Sequence, residues 1–265
     1  MFSFAFQDID FAHKLDRASS PKDEYLKHMH PFIEILYFVS GKVTYNVEGL
    51  TQELKPGTMI FIAPGKFHFA TVNKGVHYER YVLKFPSSLL PDYLYKELKE
   101  ADVYSHPQLY PDNFFDRLDY DASLTRLNNV EKRELFLCDL IRFLLLKSKD
   151  LNKRVDEKET LVQKIIFYID HHLEEDLSLH SLSSSLHYSE SYLTVLFKES
   201  MHCPIMQYIR SKKVMLAYQK IQNGEKPHAV AEELGFNDYS TFYRAYKSLL
   251  GFSPNQKEGV LTKLS

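Results

Sequence analysis

Between Leu182 and Leu250 the chain states nearly the same pattern twice. The first copy, LHYSESYLTVLFK, runs from Leu186 to Lys198, and the second, LGFNDYSTFYRAYK, from Leu234 to Lys247. Leu186 and Tyr188 recur 48 residues later as Leu234 and Phe236. After one inserted residue, Leu193, Phe197 and Lys198 recur 49 residues later as Phe242, Tyr246 and Lys247. Each copy holds a short helix with apolar periodicity, a tight turn, a polar cap and a second helix ending in aromatic-Lys. That is the arrangement of a helix-turn-helix, and two in tandem point to a DNA reader.

Local chemistry supports both copies. Ser178, Ser189 and Asp238 stand where N-caps are needed, Pro227 suits a first helical turn, and Gly235 supplies a left-handed turn. Ile205 to Gln222 reads as one long helix between the two units. In the first unit the second helix is expected to bury Tyr192, Leu193, Leu196 and Phe197 and to face outward with Ser191, Thr194, Val195 and Lys198. In the second it is expected to bury Phe242 and Tyr246 and to present Ser240, Thr241, Arg244 and Lys247. These outward types are what base reading requires. Arg pairs bidentately with a guanine edge, Ser and Thr bond either way, and Val meets a thymine methyl. Lysines near helix ends suit phosphates. One such face alone would be an ordinary solvated helix surface; the repetition, with Ser191 and Ser240 at the same place, gives it meaning.

The segment GFNDYSTFYRAYKSLLGFSP (235–254), preceded by Val230-Ala231, resembles the signature of the AraC/XylS family of bacterial transcription regulators. The resemblance covers roughly residues 161–257, and the first unit matches more loosely. It implies two units that enter successive major grooves of promoter DNA. By motif position it places base-facing residues at Ser191, Thr194 and Val195 and at Ser240, Thr241 and Arg244. This chain departs from the family at His187 and His202, where glycine is usual, so strained turns are expected there. The family's customary basic residue after the closing Ser-Pro is also missing, since Glu258 follows Lys257.

The N-terminal half has a different texture. Residues 1–25 read as an arm. From His28 onward, short apolar or alternating runs (Phe32–Phe38, KVTYNVEG, TQELK, TMIFIAP, HFATV, HYERYVLKF) are punctuated by Gly and Pro with no helix between them, which suggests a small antiparallel barrel or sandwich. After Pro86 the pattern turns helical at SLLPDYLYKELKEA, passes a loop at HPQLYPDN, and reaches an apolar helix at 131–148 whose wide greasy surface suits either packing on the barrel and on a second subunit or complete burial in a core. The expected organisation is therefore a sensing and dimerising domain over 1–148, a charged linker over 149–160, and a DNA-binding domain over 161–265.

HMHPFIEILYFVSG (28–41) with APGKFH (63–68) looks like a cupin, the sensor domain common in the same family. His28, His30 and Glu34 share parity on a strand, with His68 beyond the next Pro-Gly turn. That resemblance implies a metal pattern of three imidazoles and a carboxylate, suited to Fe, Mn, Ni or Zn. The expectation adopted is a metal-free effector pocket formed by His28, His30, Glu34, His68, Tyr37 and Tyr81, with a sugar as effector and no cofactor. The alternative is a metal-dependent cupin enzyme with an accessory helical domain.

Composition sets outer bounds. A chain of 265 residues with 44% hydrophobic and 26% charged residues accommodates two globular domains. No apolar run reaches the roughly 20 residues of a membrane span. Cys138 and Cys203 lack metal or disulfide spacing. These features predict a cytoplasmic protein without a secretory signal. The net charge of −2, and ten basic against ten acidic residues over 161–257, give DNA binding no bulk attraction; affinity has to come from local placement. The combined expectation is a homodimeric activator that meets promoter DNA, RNA polymerase and a small-molecule effector.

Overall fold

The computed structural model describes residues 2–6, 9–17, 27–72, 75–93, 108–111 and 160–256. Backbone contacts divide the chain into two units, the first built mainly from residues 1–156 and the second mainly from 157–265.

The first unit is mainly β among the described residues, with a short 3-10 turn at Ser87–Leu89 and the start of a helix at 92–93. Its strands are β1 (Phe2–Phe6), β2 (Ile9–Arg17), β3 (Ile33–Gly41), β4 (Val43–Val47), β5 (Leu50–Glu53), β6 (Thr58–Ile62), β7 (His68–Val72), β8 (His77–Phe85) and β9 (Gln108–Pro111). They form a six-stranded sheet in the order β1-β2-β8-β3-β6-β9 and a three-stranded sheet in the order β5-β4-β7. The two sheets do not close into one ladder, so the expected barrel takes the form of a sandwich. Leu36, Phe38, Ile60, Ile62, Tyr78 and Val82 from the larger sheet pack with Val43, Tyr45, Val47, Ala70 and Val72 from the smaller. Period-two alternation put these residues on inner faces. Gly41 takes φ +131, and a Cβ there would lie 2.3 Å from the His77 carbonyl oxygen, so only glycine fits where β3 ends against β8.

Two strand assignments differ from the sequence expectation. The described parts of the N-terminal arm are strands: β1 and β2 pair with each other, and β2 pairs with β8 over Asp10–Arg17. The loop expected at HPQLYPDN contains β9, which pairs with β6. β2 and β9 take ladders from partners remote in sequence, β8 and β6, which local propensity does not see, and β1 adds to the other edge of β2. The apolar helix expected at 131–148 and the linker over 149–159 lie outside the described residues.

The second unit is helical: α1 (Leu161–His171), α2 (Leu179–Leu186), α3 (Glu190–Met201), α4 (Ile205–Gln222), α5 (Pro227–Glu233) and α6 (Tyr239–Leu250). Thr160 and Ser178 each close a reciprocal cap with the residue three positions on, Gln163 and Ser181. Pro227 occupies the first turn of α5 as expected. Buried Val162, Ile165, Ile166 and Ile169 form the inner stripe of α1. Leu182, Leu193, Phe197, Met201, Tyr208, Ile209, Ala217, Val230, Leu234, Phe242, Tyr246 and Leu250 complete the core. No helix among the described residues is long and apolar enough to cross a membrane.

Candidate nucleic-acid interface and ligand site

Each helix-turn-helix is set by its turn. His187 and His202 close α2 and α3 in the left-handed region, at φ 59° and 51°. For a residue with a Cβ this conformation costs about 1–2 kcal/mol, so the strain expected at these two positions is present. In the second unit Gly235 makes the same kind of turn at φ +71°, with Lys213 Nζ as the nearest atom to a notional Cβ at 3.6 Å. Lys213 Nζ donates to the Leu234 carbonyl at 2.9 Å, placing a cation on the closing carbonyls of α5.

Ser189 and Asp238 cap α3 and α6, and both helices run twelve residues. Ser189 Oγ accepts from the Tyr192 amide at 3.3 Å. Asp238 Oδ1 accepts from the Thr241 amide at 2.7 Å, and the Thr241 hydroxyl donates to Oδ2 at 2.8 Å. These bonds, the backbone amide foremost, hold the Asp238 carboxyl below its ordinary value.

Counting from the two caps aligns the helices position by position. Ser191 matches Ser240, Tyr192 matches Thr241, Thr194 matches Tyr243, Val195 matches Arg244, and Lys198 matches Lys247. Of the residues expected outward, Ser191, Val195, Lys198, Ser240, Arg244 and Lys247 are exposed, while Thr194 and Thr241 are half-buried. Thr194 donates its hydroxyl to the Glu190 carbonyl at 2.8 Å, leaving its lone pairs outward. Arg244 Nε donates to the Ser240 carbonyl at 3.3 Å, which folds the guanidinium back over the first turn of α6.

Two burial expectations are corrected. Leu196 is only half-buried. Tyr192 is not buried: half of its surface is exposed, and its ring lies 5.6 Å from that of Tyr188, which is 45% exposed. Leu193 and Phe197 alone fill the core on that turn, so the third helical position is free to face out. The cap alignment also brings in Tyr243, absent from the sequence-derived set, with Lys247 Nζ 6.0 Å from its ring. Counting from the caps in the sequence would have found it, since Thr194 and Tyr243 are separated by the same 49 residues as Ser191 and Ser240.

His28, His30, Glu34 and His68 each offer a ligand atom, all within 4.8 Å of one another. Backbone pairing sets this up. His28 and His68 exchange N–H···O bonds of 3.2 and 3.0 Å across an antiparallel bridge, leaving their rings 4.3 Å apart. His68 is fully buried, and its Nδ1–H donates to the Lys66 carbonyl at 2.8 Å, which turns Nε2 toward Glu34 Oε2, 3.6 Å away. A backbone carbonyl orienting one imidazole nitrogen is the arrangement that presents the other to a ligand. Lys84 Nζ lies 3.4 Å from the same Glu34 oxygen. Burial, then the Glu34 carboxylate, hold the Tyr45 hydroxyl far above its ordinary range, so it stays a donor beside His68.

Tyr37 and Tyr81 do not join this group. Tyr37 is three residues from Glu34 and directly opposite Tyr81 in the β3–β8 register, so both fall on the opposite face of the sheet. There Tyr81 stacks on His13 at 4.5 Å, near Phe11. The tyrosines on the inner face are Tyr45 and Tyr78.

Comparison with known proteins gives two domain matches. Residues 13–120 match an AraC-like ligand binding domain, and residues 182–257 match a helix-turn-helix domain. LumQ of Photobacterium leiognathi is 37% identical over 90 residues, 34% of this chain and 36% of LumQ. The regulatory protein SoxS of Escherichia coli is 26% identical over 98 residues, 37% of this chain and 92% of SoxS. A crystal structure of ToxT from Vibrio cholerae with unsaturated fatty acid bound aligns over 94% of this chain and 92% of its own, at 14% identity and a TM-score of 0.42.

Proposed function

The chain belongs to the AraC family of DNA-binding transcription regulators, carrying a ligand-binding domain ahead of a helix-turn-helix domain, and we propose that it is a homodimeric activator whose grip on promoter DNA is set by a small-molecule effector. The observation that carries this reading is the pair of capped, equal-length helices α3 and α6. Both expose a short polar residue at the second position and a lysine at the ninth.

In this reading Ser240, Tyr243 and Arg244 read base edges from α6, and Ser191, Thr194 and Val195 do so from α3. Lys198 and Lys247 hold phosphates. Thr241 positions the Arg244 guanidinium, whose Nη2 lies 3.4 Å from its hydroxyl oxygen. The effector, a hydroxyl-rich molecule such as a carbohydrate, sits against His28, His30, Glu34, His68 and Tyr45. Its binding shifts a two-state balance in the DNA-bound population. Residues 131–148 join the two copies, and the bound dimer recruits RNA polymerase. Gel-shift titration of the full chain against the DNA upstream of its own gene tests this. Sequence-specific retention that weakens steeply with salt is expected. No retention above that of scrambled DNA sinks the reading, and a monomer in sedimentation at micromolar concentration removes the dimer.

The four converging donors favour a second reading, a metal-dependent enzyme that carries a helical domain. His28, His30, Glu34 and His68 would hold a divalent ion, which as a Lewis acid would polarise a bound oxygen. Elemental analysis of the purified chain separates the two: stoichiometric metal lost in His68→Ala, without specific DNA retention, would select the enzyme.

A further inference from the structure

The inner face of the six-stranded sheet carries three cations, Lys14, Arg80 and Lys84, and three carboxylates, Asp10, Asp16 and Glu34. In the β2–β8 register Lys14 stands directly opposite Arg80, and Asp10 opposite Lys84. On the other side of β8, Glu34 stands opposite Lys84 and Phe38 opposite Arg80. Lys14, Arg80 and Lys84 therefore share one face, and Val82 and Phe38 on that face belong to the core between the two sheets. Arg80 is buried, stacks 4.0 Å above the Tyr78 ring and is paired with Asp16. Lys84 has Glu34 at 3.4 Å. Among the described residues, no carboxylate oxygen lies within 4.0 Å of Lys14 Nζ.

Like charges directly opposite on an antiparallel pair are destabilising, and partial burial strengthens the repulsion. The Lys14 ammonium registers this: burial first, then Lys84 and Arg80, push it below its ordinary value against the opposing pull of Asp10 and Glu34. Arg80 and Lys84 have their carboxylates, whereas Lys14 has none within ion-pair distance among the described residues, so an anion beside Lys14 relieves the repulsion between the three. We infer that Lys14, Arg80 and Lys84 form a seat for an anionic group of the effector, a carboxylate or a phosphate. This rests on the ligand-responsive reading and narrows it: a carbohydrate effector is an acidic or phosphorylated one.

The test is thermal unfolding of the full chain at constant ionic strength in chloride. Added ligands are inorganic phosphate, gluconate against glucose, and benzoate against benzamide. The expected result is a Tm raised by about 5 °C at saturation by at least one anion and not by its neutral partner. Phosphate alone acting assigns a phosphate seat, and a carboxylate alone acting assigns a carboxylate seat. Lys14→Met is expected to abolish that rise while itself melting higher than the parent without anion, because it removes the repulsion; a merely structural lysine would do the reverse. The inference is overturned if no anion stabilises, if neutral partners stabilise equally, or if the Lys14→Met protein keeps the response. Gel shift on the same samples keeps the outcomes apart: loss of the anion effect with DNA retention intact overturns the inference alone.

Discussion

At Arg244 a single side chain combines long reach, full charge and a fixed starting geometry over the first turn of α6. Arg244→Ala is expected to weaken specific binding by about 1–3 kcal/mol and to relax preference at one base pair, as read by competition against single-site operator variants. Tyr243→Ala should change preference at a neighbouring position, whereas Thr241→Ala should soften the Arg244 effect without a base signature of its own. The outward set was legible from the repeat, but the bonds its members make in α6 were not. Thr241 spends its hydroxyl on the Asp238 cap, and Tyr243 holds the matching outward position. His187 was legible as strained because a Cβ in a left-handed turn is a property of one residue alone. His187→Gly is expected to raise stability by about 1 kcal/mol in chemical denaturation.

Among the elements, caps decide where the reading helices begin. The Asp238 carboxyl is held below its ordinary value of 3.8, chiefly by the Thr241 amide. Its folded pKa is lower than its unfolded one, so its contribution is complete above the ordinary carboxylate range and is lost as pH falls through the depressed folded value. Asp238→Asn keeps an acceptor for the amide but removes the charge. It should flatten the acid limb of a Tm-versus-pH curve between pH 5 and 2, and an unchanged limb would assign that limb to other groups. The strands β3 to β8 were visible as short apolar or alternating runs between Gly and Pro, a signal each carries in its own sequence. β1, β2 and β9 were not, because their assignment depends on partners in other strands. For the same reason Tyr37 and Tyr81 were placed in the pocket: aromatic content was readable, while the face they occupy is fixed by the pairing of β3 with β8.

For the whole molecule, the balance of ten basic and ten acidic residues over 161–257 leaves little bulk attraction for DNA. Binding should therefore depend on a few positioned cations. Lys198→Ala and Lys247→Ala are each expected to lower affinity about equally for specific and scrambled DNA and to reduce the log–log salt slope by about 1. A slope unchanged by both would place the phosphate contacts elsewhere. The core of the helical unit sets the other limit: Phe242 is fully buried among Phe236, Tyr239 and Tyr246. Phe242→Ala should cost about 3–5 kcal/mol by urea denaturation and abolish DNA retention with it.

The short side chains along α3 have a consequence for how such a regulator diverges. Ser191, Thr194 and Val195 extend little beyond the backbone, while Leu193 and Phe197 beneath them fill the interior. Replacing the surface residues leaves the interior intact, so long polar side chains can be installed there without unfolding the unit. In the proposed DNA-reading role, α3 is thus the adjustable helix: retargeting the protein to a new operator half-site, by selection or by design, should begin at these three positions and leave α6 as the anchor.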